Sequence, residues 1–280
     1  MADGVTMLHE TFPRLQRTRG EARVALSVRR GRVRLDTLHQ SGSAKAFLSR
    51  VAGVETMPEV VFLNTAGGLT GGDRLAYTLA LGPGARAVAT TQTAERAYAS
   101  ASGAAEVRVT LHAAAGARLH WLPQETILFE ASSLRRTTTL DLEADAQGLT
   151  AETLVLGRAA SGETLARVAL RDTRLVRRDG RAVLLEPLVL DAAVLAAASP
   201  ALLGGARAVA SVALVAPGAE AAVEAARRVL TEEGVEAAAS GWNGKCLVRV
   251  VGHDAWPVRR QVARVVEVLG GRPLPRVWMN

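Results

Sequence analysis

The sequence predicts a mainly β protein, built from many short strands with two α-helices near its C-terminus. Three observations lead there. Apolar and polar residues alternate over short runs through most of the chain, turn residues recur roughly every 8 to 12 positions, and after about residue 205 the apolar period lengthens to that of a helix.

The elements follow in order. Val24, Leu26 and Val28, then Val33 and Leu35, alternate on either side of Arg30-Gly31, which predicts a hairpin. The run Val60-Val61-Phe62-Leu63 predicts a buried strand, and Leu75, Tyr77, Leu79 and Leu81 mark the inward face of the next. Val107, Val109 and Leu111 alternate again, Gly116 turns the chain, and residues 119–122 resume it. Val168 and Leu170 lead to Leu175-Val176, and Asp179-Gly180 before Val183-Leu184-Leu185 is a strong two-residue hairpin signal. Residues 219–233 have helical composition, with Val223, Ala226 and Val229-Leu230 on one face and Gly234 as the stop. Residues 246–251 read as a strand. A second helix is expected from about Ala255: Asp254 can cap it and Pro257 fits its first turn. Val258, Val262, Val265-Val266 and Leu269 then form a buried stripe before Gly270-Gly271. No repeat of fixed period is evident.

Composition describes a soluble globular chain. Of its 280 residues 49% are apolar, enough for a substantial core, yet the longest apolar stretches fall far short of the roughly 18 to 20 residues that span a bilayer. The start, Met1-Ala2-Asp3-Gly4, lacks the basic and apolar regions of a secretory signal, so a cytoplasmic location is expected. The lone Cys246 can form neither an internal disulfide nor a cysteine-based zinc site. The net charge of +7 rests on arginine, since Lys45 and Lys245 are the only lysines. Arginine suits carboxylate and phosphate contacts, but no basic block with interleaved aromatics is present to stack bases, so nucleic acid is not expected as a partner. A protein docking surface and a plain solvated surface both fit this charge.

The most informative stretch runs Asn64-Thr65-Ala66-Gly67-Gly68-Leu69-Thr70-Gly71-Gly72-Asp73-Arg74-Leu75, two glycine pairs between strands, ending on an acid. Nucleotide binding fails on spacing. A dinucleotide fingerprint needs Gly-x-Gly-x-x-Gly opening a helix, whereas here Gly-Gly-x-x-Gly-Gly opens a strand. The only Gly-Lys, Gly244-Lys245, is followed by Cys246 and has Ala239 where a phosphate loop needs its first glycine.

Five ordered segments together resemble the urease accessory protein UreD family, also called UreH. They are the glycine run; Thr90-Thr91-Gln92-Thr93-Ala94-Glu95-Arg96-Ala97-Tyr98-Ala99-Ser100; Trp121-Leu122-Pro123-Gln124-Glu125-Thr126-Ile127; Gly157-Arg158 with Gly162-Glu163; and Leu274-Pro275-Arg276-Val277-Trp278. One departure stands out: many members lead into the glycines with His-Pro-Pro, where this chain has Asn64-Thr65-Ala66, so no histidine ligand carries over. The resemblance implies a β-helix-like or stacked-sheet body with the two helices packed on it in one domain, the strand-rich part over about 1–205 and the helix-containing part over about 206–280. It also implies a non-enzyme that binds UreF, the GTPase UreG and the urease structural subunits, and that assists nickel insertion with no stably bound cofactor.

Residue chemistry agrees with those absences. No nucleophile elbow or zinc-protease helix occurs, and Cys246 has no local base. His9, His39, His112, His120 and His253 show no chelating spacing; His112 and His120 flank Gly116 and would face each other if a hairpin formed there, most simply as surface residues. Trp121, Trp242, Trp256 and Trp278 suit core or interface anchors. Nickel in transit needs weak ligands, and isolated carboxylates hold a borderline divalent ion more transiently than thiolates. Asp73, Glu125 and Glu163 are the candidates for a transient nickel route through the interior channel that the family is thought to use. Against each stands a plainer role, Asp73 tying its own turn and the two glutamates solvated or paired. A scaffold that never touches metal, and an enzyme using Asp73 as acid or base, stay open as alternatives.

Overall fold

The computed structural model describes residues 16–49, 57–197 and 199–279. Strands β1 (Arg19–Arg29) and β2 (Arg32–Gly42) form the expected antiparallel hairpin around Arg30-Gly31. Strand β3 (Ala44–Ser49) pairs antiparallel with β4 (Glu59–Asn64), and the glycine run then delivers the chain to β5 (Arg74–Leu81).

From β4 onward the chain winds as a solenoid, in which each coil gives one strand to each of two facing sheets. After β6 (Arg86–Thr91) and the short β7 (Glu95–Ala97) comes β8 (Ala105–Ala113). Next follow β9 (Arg118–Trp121), β10 (Thr126–Leu128) and β11 (Ser132–Leu142), then β12 (Gln147–Leu156) and β13 (Val168–Arg178). Strands β4, β6, β9 and β12 stack in parallel in one sheet; β1, β5, β8, β11 and β13 stack in parallel in the other. Strands β7 and β10 pair in parallel as a narrow third wall, which the first coil joins through a bridge from Leu69 to Ala97.

Parallel stacking in register puts like beside like. Leu75, Tyr77 and Leu79 of β5 stand against Val107, Val109 and Leu111 of β8, and all are buried between the sheets. The period-two pattern read from the sequence is therefore the inside and outside of a coil. Strand β14 (Arg181–Leu190) folds back on β13 through Asp179-Gly180, both at positive φ (49° and 77°), as a two-residue turn of this kind requires. Strands β2 and β14 are the antiparallel edges of this sheet, and each of the two pairings carries a register shift, between Ala25 and Leu26 and between Val176 and Arg177.

The chain then extends the other sheet with β15 (Ala208–Val215), β16 (Val235–Trp242) and β17 (Lys245–Gly252), all antiparallel. Between β14 and β15 a short helix, α1 (Ala192–Ala196), is capped by Asp191, an element the sequence reading did not anticipate. The expected helix over 219–233 is shorter: a 3-10 turn (Ala219–Ala222) runs into α2 (Val223–Arg228), and the chain leaves helical geometry at Val229. Tertiary contacts override composition there. The Glu232 amide donates to Gln261 Oε1, and the Glu232 carboxylate pairs with Arg260 and Arg264, pulling 229–233 onto the next helix.

That helix, α3 (Ala255–Gly270), matches the reading closely. The Asp254 carboxylate accepts from the Trp256 amide at 2.9 Å, Pro257 lies in the first turn, and Gly271 closes the end at φ 60°. Val258, Val262, Val265 and Val266 are buried in a second core on the outer side of β12, β15 and β17, with Leu122, Val212, Val248 and Trp278. No described helix is long and apolar enough to cross a membrane.

Register stacking makes the inward leucines costly to remove. Leu111 is fully buried between Leu79 and Leu140 in the aligned register, so Leu111→Ala is expected to lower unfolding free energy by about 2–5 kcal/mol in urea titrations. Its outward neighbour Thr110→Ala is expected to change it by less than about 0.5 kcal/mol.

Candidate functional site

The glycine run is the corner between the first coil's two strands. Gly67 and Gly68 take φ of 75° and 156°, and a side chain at Gly68 would collide with the Tyr98 ring. Gly71 lies against Ser100 and the Ser102 carbonyl, leaving no room for a Cβ. Both pairs thus answer two needs: Gly67, Gly68 and Gly72 adopt positive φ, and Gly68 and Gly71 admit the close approach of the neighbouring segment.

Asp73 closes this corner. Its carboxylate is buried; Oδ1 accepts from the Thr18 amide at 2.7 Å and Oδ2 from the Thr70 amide at 2.8 Å. Its own carbonyl accepts from the Glu106 amide at 2.8 Å, so one residue joins the lead into β1, its own turn and the next coil.

Glu125 and Glu163 lie elsewhere. Glu125 Oε1 accepts from Arg259 Nη1 at 2.6 Å, and Arg259 also binds Gln124 Oε1 and the Trp278 carbonyl while lying over the Trp278 ring. Glu125 therefore fastens α3 and the C-terminal segment to the corner before β10. Glu163 receives the Arg158 side chain and amide and the Glu130 amide, and the Arg158 hydrogen bonds hold its carboxyl below the usual carboxylate range. The three acids do not converge, and among the described residues no three His, Cys, Asp or Glu side chains come together as a metal site would need.

The histidines are dispersed too. Gly116 turns a solenoid corner rather than a hairpin, so His112 sits at the outer surface beside Glu143, 3.0 Å away, while His120 is buried under α3. Burial first, then the positive charge of Arg272 and Arg118, lowers His120 to about 3. His39 and His253 are exposed, and His9 lies outside the described residues. Trp121 and Trp278 are core residues, whereas Trp242 and Trp256 are exposed.

Inside the coils the structure assembles a group that sequence reasoning missed. Arg136, on β11, occupies an inward position between the sheets and grips Asp172 of β13 with two bonds, Nε to Oδ1 at 2.9 Å and Nη2 to Oδ2 at 2.7 Å. The same Nη2 lies 2.6 Å from Glu152 Oε2, and Nη1 donates to Thr126 Oγ1 at 3.0 Å. Glu152 Oε1 accepts from Thr138 and from Trp121 Nε1. Arg174 carries the chain of charge outward, pairing with Asp172 and lying 4.0 Å from Glu186, which takes Ser211 and the exposed Arg249.

On the other side of Glu152, a cavity of about 40 Å³ is lined by Tyr77, Glu95, Trp121, Gln124, Thr126 and Arg136. Glu95 is half-buried, and Asn64 Nδ2 donates to both its oxygens, at 3.2 and 3.3 Å. Burial pushes its carboxyl up to about 7 in spite of that bond. Burial alone would also raise Asp172, but Arg136 and then Arg174 hold it at about 2. A polar track thus crosses the solenoid from the Asn64 corner through Glu95, Glu152, Arg136, Asp172 and Arg174 to Glu186. The one available signal was arginine and acid at inward-parity positions, since Arg136 and Thr138 keep step with Leu134 and Leu140.

Comparison with known proteins decides what carries this arrangement. The family described as UreD urease accessory protein matches residues 18–279. The chain belongs to the UreD family. A urease accessory protein UreD of Cereibacter sphaeroides is 61% identical over 267 residues, covering 95% of this chain and 96% of the relative. Those of Dinoroseobacter shibae and Paracoccus denitrificans are 55% and 50% identical, each over 95% of this chain and over 94% and 93% of the relatives. The resemblance read from five segments therefore holds over nearly the whole of a UreD chain, and the accessory role in the urease system comes with it.

Two measurements probe this geometry. Both Asp73 oxygens accept backbone amides, and an asparagine would turn a donor toward one of them, so Asp73→Asn is expected to cost about 1–3 kcal/mol by urea unfolding. Glu95 titrates higher folded than unfolded, so the native state holds more protons between the unfolded value near 4.5 and about 7. Stability from this carboxyl is then present at low pH and declines as pH rises through that window, and Glu95→Gln is expected to flatten the decline in melts recorded across it.

Proposed function

We propose that this chain assists nickel insertion into urease by holding UreF, UreG and apo-urease together and by passing nickel through its interior. Nickel here is cargo, and no resident cofactor is required of the chain. The reading rests on membership of the UreD family and on one observation above all: Glu95 and Glu152 face a common small cavity inside the coils. Two carboxylates approached from different strands, with a tyrosine hydroxyl and threonine beside them, offer hard oxygen ligands singly, which suits a borderline divalent ion that must move on. Glu95, neutral or charged near pH 7, can exchange a proton for a cation there.

Within this reading Asp73, Glu125 and Glu163 stand as outer candidates for the route, and Glu95 with Glu152 as inner ones. UreG supplies the nucleotide chemistry, in keeping with the lack of any nucleotide motif here, and the chain itself turns over neither GTP nor urea.

Co-expression with UreF, UreG and the urease subunits separates conduit from scaffold. If nickel uses the interior, Glu95→Gln is expected to leave the co-purified complex intact and lower urease nickel content and ureolysis several-fold, all read on one sample. Full activation with the complex intact would favour the scaffold, and loss of the complex would make Glu95 structural.

A further inference from the structure

The outward face of the parallel sheet carries a row of arginines that none of these contacts uses. In the shared register Arg19 of β1 stands beside Arg74 of β5, Arg74 beside Glu106 of β8, Glu106 beside Arg135 of β11, and Arg135 beside Arg171 of β13. Arg108 lies two residues along β8 on the same face. All five guanidinium groups are exposed. Four strand spacings of roughly 4.8 Å make the row about 19 Å long.

Side by side, like charges on neighbouring strands repel. Only Glu106 sits between them, 3.5 Å from Arg74 and 3.9 Å from Arg135. Among the described residues no carboxylate pairs with Arg19, Arg108 or Arg171. The row borders an open groove of about 430 Å³, whose charged lining is Arg19, Glu21, Arg74, Glu106, Arg108 and Arg135. A folded chain that keeps uncompensated guanidinium groups in line, along a groove, has a surface matched to an external run of negative charge.

We propose that this face docks an acidic, extended segment of a partner protein, whose carboxylates pair with Arg19, Arg74, Arg108, Arg135 and Arg171. Three observations choose a polypeptide over the other polyanions. Glu21 and Glu106 stand within the groove, where they would repel an unbroken line of phosphates but can accept a basic side chain from a mixed protein surface. The exposed aromatic residues, Phe47, Tyr98, Trp242 and Trp256, lie off these strands, so nothing on the face stacks a base. The next outward row is Thr78, Thr110 and Thr139, in register with one another, and it meets apolar groups, Leu175 and Leu185, only at the β13–β14 edge, which is a contact for a side chain and not a continuous apolar face for a bilayer. About six extended residues at 3.3 Å each would cross the row. The proposal goes beyond the nickel reading and does not depend on it, because the row lies outside the coils.

The test uses the full chain and a fluorescein-labelled acidic peptide of glutamates interrupted by lysine, followed by anisotropy, at low salt and at about 0.15 M, where exposed charges more than about 8 Å apart are largely screened. Saturable binding that weakens with salt is expected. The double variant Arg108→Glu, Arg171→Glu removes no internal ion pair and is expected to weaken binding about tenfold or more, since each exposed pair is worth up to about fivefold and reversal adds repulsion. Arg228→Glu, on α2, is expected to leave it unchanged. If the reversal lowers the melting temperature, Arg108→Gln, Arg171→Gln carries the same test, with a loss of at least about threefold expected. No binding by the wild type, equal binding by the double variant, or equally tight binding of oligothymidylate or phosphatidylserine vesicles lost in the same variant would overturn the proposal.

Discussion

The parallel register of the coils is the constraint on which the rest of this structure depends. Because β5, β8, β11 and β13 align residue for residue, each inward position is answered by the equivalent position one coil away, about 4.8 Å distant. Leucine beside leucine satisfies that rule at Leu79, Leu111 and Leu140. An inward charge in one coil requires its counter-charge in the next, and Arg136 has Asp172 directly beside it. The same rule applied outside sets Arg19 beside Arg74 and Arg135 beside Arg171, with only Glu106 between the two pairs. Asp73 sets the phase of the first coil, since it accepts from the amides of Thr18, Thr70 and Glu106 and so joins three segments.

The buried charges add little to stability. Withdrawing Arg136, Glu152 and Asp172 from water is expensive, and well-packed apolar residues of the same volume commonly do as well or better. Their placement makes an interior that stays polar within a coat of leucine, alanine and valine, and that runs to the surface at Glu186 and Arg249. Glu95 at the opposite end forms no ion pair among the described residues, and burial, opposed by the Asn64 hydrogen bonds and by Arg96, holds its carboxyl up at about 7.

Legibility in the sequence followed the range of the interaction. Asp179-Gly180, the alternation of β5 and the caps and stripe of α3 are local signals, and each produced its element. The alternation at Leu75–Leu81 showed one strand with two faces but not which strands would be neighbours, because parallel pairing joins residues about thirty positions apart, as Tyr77 and Val109 are. Helix α2 ended early because Glu232 found partners on α3, which no window around Val229 contains. At the site, Asp73, Glu125 and Glu163 drew attention through their turns, and each turned out to carry defined hydrogen bonds. Glu152 and Asp172 went unread because an acid at an inward position looks the same in sequence as one facing solvent until the register is known.

The antiparallel edges β2 and β14 have a further consequence. A stack of parallel coils is open-ended by nature, each terminal strand offering unpaired amides and carbonyls to another copy. Here both terminal strands run against the stack, each beside a slipped register, and Pro187 removes a donor from β14. A second molecule meeting either end finds a template of the wrong polarity and spacing for adding another coil. The architecture that resembles a fibril in cross-section is in this way closed at both ends of this sheet by strands that do not continue the parallel stack.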